Sequence, residues 1–390
     1  MPHRHVSSPL ALRRLDGRAS ITTIGDTRRP RELGIALLVR YGTSAGGKLV
    51  KKAEIYTAED HHIDPALIDP DARRIIRRLR HEGFEAYIVG GAVRDLLTGL
   101  KPKDFDIATD ARPRRVRRIF PRSRIIGRRF RIVHVYVQWR GEEKVFEVST
   151  FRSLRGEGGE NMYGSMEDDV WRRDFTLNAL YYCPERQIII DLVGGYRDIK
   201  ERRLRTLAPT ESSFVEDPVR MIRGVKYAEF TGFPMPRPIT GAIRKHWQEL
   251  SGCSPARLTE EAYKILGSGR SAGIFFQLFR LRLLDVFLPA LEERWRGLSR
   301  RQIQDSLHPG LEALDQRVER EGSDSLDRGV MLAYLFRTLG AGAGPRGRAE
   351  QELEQLCERL RRWAQPLLPS RRELQRAART LMRAGGRRSR

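Results

Sequence analysis

The run Val89-Gly90-Gly91-Ala92-Val93-Arg94-Asp95, followed closely by Lys103-Asp104-Phe105-Asp106, constrains this chain more than any other stretch. Glu85–Val89 reads as a short strand that ends in two glycines, and Ala92–Leu97 resumes as a helix. Adjacent glycines at such a turn let backbone N–H groups come close to a phosphate. Arg94 stands one turn into the helix, where its forked donors can reach the same anion. A second tight turn, Gly99–Lys103, leads into a strand carrying Asp-Phe-Asp. Alternate residues of a strand share a face, so Asp104 and Asp106 aim together while Phe105 enters the core. Two carboxylates on one face make a magnesium site open enough to keep water and phosphate ligands; manganese is the alternative ion. Either element alone is a common turn. Together, at this spacing, they are equipment for phosphoryl or nucleotidyl transfer.

A third carboxylate would complete the metal site. Glu147 lies among Val145, Phe146 and Val148 on an apolar run, an awkward place for an acid without a partner. Two readings stay open: metal ligand, or satisfied acid of an edge strand. Arg172-Arg173-Asp174-Phe175-Thr176-Leu177-Asn178 is the next dense run. Arg173 can neutralise triphosphate, and Asp174 can accept from a sugar hydroxyl or orient an arginine. Glu216-Asp217-Pro218-Val219-Arg220-Met221-Ile222-Arg223 opens a helix with Pro218 at its start. Asp217 and Arg220 share a face. They can read a base edge, or they can simply form an i,i+3 ion pair, which on spacing alone is the simpler account.

The chain has 390 residues and a formal charge of +23, an excess that calls for a polyanionic partner, nucleic acid first. An apolar content of 40% still permits real cores. Cys183, Cys253 and Cys357 are far apart, so neither a zinc site nor a disulfide framework is indicated, and a reducing cytoplasm fits. No apolar run approaches a membrane span. Met1–Arg31 is basic, lacks the apolar centre of a signal peptide and is expected to be poorly ordered. Gly42-Thr-Ser-Ala-Gly-Gly47-Lys48-Leu49 nearly matches a phosphate-binding P-loop. Leu49, however, stands where a magnesium-binding hydroxyl is required, so a flexible turn is the better reading. A phosphohydrolase is disfavoured because the helical half has no paired His-Asp metal motif, and His246 and His308 stand alone there.

Four regions follow: an irregular basic extension over 1–70, a mixed-sheet domain over 71–207, and helical regions over 208–270 and 271–390. In the second, Asp71–Arg80 is predicted to be a helix capped by Asp71, and Pro113–Phe120 a basic helix. Phe105–Ala108, Ile132–Gln138, Lys144–Thr150, Leu177–Tyr182 and Ile188–Leu192 read as strands. Asp217–Phe230, Ala256–Leu266, Ala272–Leu284 and Arg328–Leu339 have helical apolar spacing. Gly340–Gly347 is a glycine-rich break, and the end from Arg361 is Arg-rich. The class is α+β.

These motifs, in this order, resemble the class II nucleotidyltransferases of the polymerase β superfamily, which include bacterial poly(A) polymerases and CCA-adding tRNA nucleotidyltransferases. The resemblance covers about His62 to Ala290. It implies a nucleotidyltransferase head followed by an all-α neck, body and tail, and transfer of nucleotides from a triphosphate to RNA 3′ ends. Asp104 and Asp106 would then be the metal ligands, with Asp174 close to the reacting centre. Gly90, Gly91, Arg94 and Arg173 would bind triphosphate. Asp217 and Arg220 would pair with the base, supported by Arg223. Where the family usually has a further arginine this chain has Lys226, which keeps the charge and loses the fork. Ile125 to His134, through Gly127-Arg128-Arg129-Phe130-Arg131, resembles the poly(A) signature rather than the Gly-x-x-His-Gly-Thr run of CCA-adding enzymes. Asn161 to Asp168 does so too. The resemblance therefore implies ATP and RNA as partners, AMP addition as the activity, and CCA or A addition to tRNA as the alternative. A monomer with no membrane association is expected, with the basic helix Arg112–Arg118 and the Arg-rich end binding RNA phosphates.

Overall fold

The computed structural model describes residues 38–43, 49–127, 131–139, 142–153, 163–323, 325–341 and 349–386. They fall into two compact units that divide at Glu201/Arg202, six residues before the boundary expected at 207.

The first unit is built on a nine-stranded sheet. Its strands are β1 (Leu38–Thr43), β2 (Leu49–Tyr56), β3 (Ala86–Val89), β4 (Asp106–Thr109) and β5 (Ser123–Ile126). They continue with β6 (Ile132–Trp139), β7 (Glu142–Thr150), β8 (Leu180–Cys183) and β9 (Ile188–Asp191). The order across the sheet is β1-β2-β9-β8-β3-β4-β7-β6-β5. Only β4 and β7 run parallel; every other neighbouring pair is antiparallel.

Several expectations are corrected here. The region before Pro70 is not uniformly irregular: β1 and β2 form a hairpin, and β2 joins the sheet through β9. Tyr56 anchors it, buried and stacked on Tyr196 with ring centroids 3.8 Å apart. This also disposes of the P-loop near-match, since Thr43 pairs with Leu49 across two strands where a P-loop needs a following helix. Residues 1–37 and 44–48 lie outside the described residues. β5 was not anticipated. The strand expected from Leu177 begins only at Leu180, because Thr176–Asn178 forms a 3-10 turn.

The helix Pro70–His81 buries Ile75, Ile76 and Leu79 on one stripe. Each such side chain contributes roughly 1.5–3 kcal/mol relative to exposure. Its cap is Asp69, which accepts from Asp71 N at 2.7 Å; Asp71 itself sits inside the first turn. The basic helix Pro113–Ile119 packs on β5, β6 and β7 through buried Val116. The strand residues buried with it on that side are Val133, Val135, Phe146 and Val148.

The second unit is helical. Its longer helices are Val219–Thr231, Arg237–His246, Pro255–Leu266, Ser271–Arg280, Arg328–Thr338, Ala349–Ala364 and Arg371–Gly386. Phe275, Phe287, Trp295 and Phe336 are fully buried in its core. The helix expected over Ala272–Leu284 stops at Arg280 and a short one restarts at Leu284, because Arg282 between them takes a left-handed φ of 64°. The Arg-rich end is helical to Gly386, and residues 342–348 of the glycine-rich break lie outside the described residues. No helix among the described residues is long and apolar enough to cross a membrane.

Candidate active site

The site in the first unit forms where β3 hands over to the helix Gly91–Leu97. Gly90 caps that helix with φ 70° and ψ −132°, a conformation that only glycine adopts without strain. The turn is tightly surrounded. A methyl group on Gly90 would lie 3.7 Å from Arg173 Nη1 and 3.9 Å from Asp106 Oδ2. Val89, the residue before the turn, pairs with Asp106 on β4 and with Tyr181 on β8. Gly90, Asp106 and Arg173 are therefore brought together by the sheet itself.

Asp104 and Asp106 behave as the alternation predicts: both are exposed and Phe105 between them is buried. Asp104 lies just before the strand and Asp106 opens it. A hard cation is suited to this donor set. Among the described residues no group of three or more His, Cys, Asp or Glu gathers closely enough to cage a metal. An ion here would keep ligand positions for water and phosphate, which is how magnesium is usually held. Glu147 is not part of such a cluster. It is paired with His134 on β6, Nε2 to Oε1 3.5 Å. Its strand neighbour Val148 pairs with Ile107, so the register carries Glu147 alongside Asp106.

Arg173 is held by groups the sequence reading missed. Its Nη2 donates to Asp169 Oδ2 at 3.0 Å and its Nη1 to the Asn178 carbonyl at 3.1 Å. The Tyr181 hydroxyl donates to the same Asp169 oxygen at 2.8 Å, and the guanidinium lies over the Tyr181 ring at 5.2 Å. Burial works against the charge of Arg173, but Tyr181 and Asp169 outweigh it and hold the guanidinium above its ordinary pKa. Arg173 Nε is buried and makes no hydrogen bond among the described residues. Such a donor suits an anionic ligand. One signal for Asp169 was available: it stands four residues before Arg173, the spacing of a helical ion pair.

Arg94 is buried, and its guanidinium lies beside the turn, where a methyl group on Gly91 would come within 3.3 Å of Nη2. Nε and Nη2 donate to Asp95 Oδ1 at 2.8 and 2.7 Å, and Nη1 to Asn178 Oδ1 at 2.8 Å. Burial pushes the Asp95 carboxyl up and Arg94 opposes that. Asn178 in turn donates to Asp174 Oδ1 at 3.1 Å, which also accepts from Phe175 N at 2.8 Å. Arg94, Asn178 and Asp174 thus form one chain of hydrogen bonds that fixes Asp174 against the helix.

In the second unit, Asp217, Arg220 and Arg223 lie at and just inside the helix Val219–Thr231, which Pro218 caps. The expected Asp217–Arg220 contact is loose, 3.9 Å. Asp217 instead takes both its oxygens to Arg257 Nη2, at 3.0 and 2.9 Å. Arg220 donates to Glu216 at 2.9 Å and to Ser213 Oγ at 3.1 Å. Arg223 and Lys226 share a single buried carboxylate, Glu261, each at 2.8 Å. Burial alone would raise Glu261, but Lys226, Arg223 and Lys264 outweigh it and bring it to about 2. Burial lowers Lys226 in spite of that partner. The fork lost at Lys226 is therefore replaced by a point contact on a carboxylate that Arg223 also holds. His308 pairs with Glu312 at 3.3 Å and His246 lies 3.7 Å from Glu211, so neither stands at a metal cluster among the described residues. Arg128, Arg129 and Phe130, and Asn161 and Met162, lie outside the described residues.

A family model for the poly A polymerase head domain matches residues 86–205. A second, for the probable RNA and SrmB-binding site of polymerase A, matches residues 232–294. Poly(A) polymerase I of Salmonella typhi is 36% identical over 301 residues, 73% of this chain and 63% of that protein. This chain thus spans somewhat under two thirds of such relatives. A CC-adding tRNA nucleotidyltransferase of Halalkalibacterium halodurans is 39% identical over 200 residues, 51% of this chain and 49% of that protein. Among solved structures, the Bacillus stearothermophilus CCA-adding enzyme in complex with CTP aligns over 82% of each chain, with a TM-score of 0.55 and 29% identity.

Proposed function

Since the chain belongs to the nucleotidyltransferase family of bacterial poly(A) polymerases and CCA-adding tRNA enzymes, we propose that it adds AMP from ATP to RNA 3′ ends without a template. The observation that supports this reading is the packing of Arg173 and Asp106 around the Gly90 turn, which would set a phosphate cradle beside a carboxylate able to hold a metal.

Asp104 and Asp106 would hold magnesium. A magnesium ion held there would supply activation of the attacking hydroxyl and neutralisation of charge on the leaving pyrophosphate. The rest of the work falls to the chain. The Gly90-Gly91 turn presents backbone donors to the triphosphate, and Arg173, oriented by Asp169, adds a fixed positive charge. Asp174, fixed through Asn178 and Arg94, is set to accept from the ribose of the nucleotide. Arg94 acts by positioning rather than by contact. Asp217, held by Arg257, and Arg220, held by Glu216, offer an acceptor and a donor for a base edge, with Arg223 and Glu261 bracing their helix. Positioning and charge neutralisation supply most of the acceleration in such chemistry.

AMP addition is preferred because Gly127 to His134 follows the poly(A) pattern and the long relative is a poly(A) polymerase. The solved likeness favours a second reading, CCA or A addition to tRNA. Incubation of an RNA primer and of a tRNA lacking its end with each of the four nucleoside triphosphates separately distinguishes them. Long A tails on the primer are expected. C incorporation into the tRNA, with no tail on the primer, would overturn the first reading in favour of the second.

A further inference from the structure

One face of β5, β6 and β7 is covered by the helix Pro113–Ile119, and the other, among the described residues, is open, with Arg124, Val145 and Glu147 exposed. On the open face, Arg124 pairs with His134, and His134 with Glu147, in a single row across three strands. The parallel pairing of β4 with β7 brings Asp106 to the inner end of that row. At about 4.8 Å per strand, Arg124 stands roughly 14 Å from Asp106. In the neighbouring row Tyr136 faces Val145, which is 46% exposed, an unusual position for a valine on a strand. The Tyr136 ring meets that of His134 edge to face, centroids 6.5 Å apart.

An aromatic pair on an open sheet face, beside an exposed apolar residue and an exposed arginine, is how single-stranded RNA is commonly held: bases stack and the guanidinium meets phosphate. A cross-strand Tyr–Val pair can also be simply a source of sheet stability. What separates the two is the register, which leads this face directly to the carboxylate pair. Building on the transferase reading above, we propose that the open face of β5–β7 carries the terminal nucleotides of the acceptor RNA to Asp104 and Asp106. A base stacks on Tyr136 against Val145, and a phosphate lies on Arg124. Glu147 would repel phosphate here, and it stands beside the His134 ring, Nε2 to Oε1 3.5 Å.

The test uses the full chain with Tyr136→Ala, Tyr136→Phe and Arg124→Ala. Binding of a fluorescent oligoadenylate is measured at equilibrium, and AMP transfer with primer and ATP varied separately. Tyr136→Ala and Arg124→Ala should weaken oligoadenylate binding and raise KM for primer by about fivefold or more, leaving KM for ATP unchanged. Tyr136→Phe, which keeps the stacking face, should restore wild-type behaviour. Unchanged oligoadenylate binding in both alanine variants, with the wild type still transferring AMP, overturns the platform and leaves the transferase reading standing. An equal rise in both KM values also overturns it, since that marks a packing role. A wild type that binds oligoadenylate through Tyr136 yet transfers nothing would overturn the transferase reading and support the RNA face.

Discussion

Asp169 and Arg173 are joined by a 3.0 Å hydrogen bond at the wall of the Gly90 turn, and the Tyr181 hydroxyl closes on the same carboxylate oxygen. Both Asp169 and Tyr181 hold the guanidinium that lies beside Gly90, and their effect on chemistry is expected to run through it. Asp169→Asn keeps the shape and removes the charge. We expect kcat for AMP transfer to fall by about 10- to 100-fold, with a smaller rise in KM for ATP, because a misdirected group costs rate at this scale. Steady-state kinetics on both substrates checks this; a variant with wild-type kcat would remove Asp169 from the site.

Asp106→Ala should abolish transfer while leaving RNA affinity and thermal unfolding near wild type. Asp106 is exposed at a strand start, so its loss opens no cavity. A primer-extension assay beside a melting curve separates the two effects. Continued extension by this variant would show that the metal pair has been misplaced.

Arg94→Lys should destabilise the first unit by about 1–3 kcal/mol, since lysine cannot span Asp95 and Asn178 together and leaves a buried acceptor unmet. The measurement is chemical unfolding. Loss of activity with unchanged stability would instead indicate direct contact with substrate.

Glu261→Gln should destabilise the helical unit by about 3–5 kcal/mol, because Arg223 and Lys226 lose their common counter-charge in a buried setting. The wild type has a linked pH dependence. Glu261 is depressed from its ordinary 4.5 to about 2, so its contribution is present above pH 4.5 and is lost as pH falls through about 2. The desolvation that lowers Lys226 subtracts from that contribution. Stability measured across this acid range should fall less steeply in the Gln variant; parallel curves would contradict the assignment.

RNA affinity should drop steeply between low and physiological salt, given the net charge of +23. Arg112, Arg114, Arg117 and Arg118 are exposed on the helix that covers the far side of β5–β7 from Glu147. Substituting them should reduce the salt slope without altering KM for ATP. A salt-independent affinity would rule out phosphate contacts as its main source.

Local sequence made part of the geometry legible: the Gly90-Gly91 turn, with Gly90 at φ 70°, the Asp-Phe-Asp alternation, and the strands on either side. What escaped was decided by distant partners. The i,i+3 spacing pointed Asp217 at Arg220, yet Arg257, 40 residues on, supplies the closer guanidinium. For Arg94, local sequence showed its place one turn into the helix but not its partner. Only the fold shows Asn178 waiting there, 84 residues later in the chain. Strand β2 was missed because Lys51 and Lys52 interrupt the apolar alternation that marks a half-buried strand. Glu261 gave no warning at all: an acid on a helix looks solvated until two cations fold against it.

The strand order has a bearing on the birth of the protein. β3, which ends in the double glycine, is clasped between β4 and β8, and β8 needs β9 beyond it. β2 likewise waits for β9 before it can join the sheet, so Glu54 meets Asp191 only after most of the unit has been synthesised. Pairings of such long sequence separation form late and slowly. During translation, then, the Gly90 turn leaves the ribosome well before β8, and an emerging chain cut short of Leu180 would carry the turn without one of the two strands that flank β3.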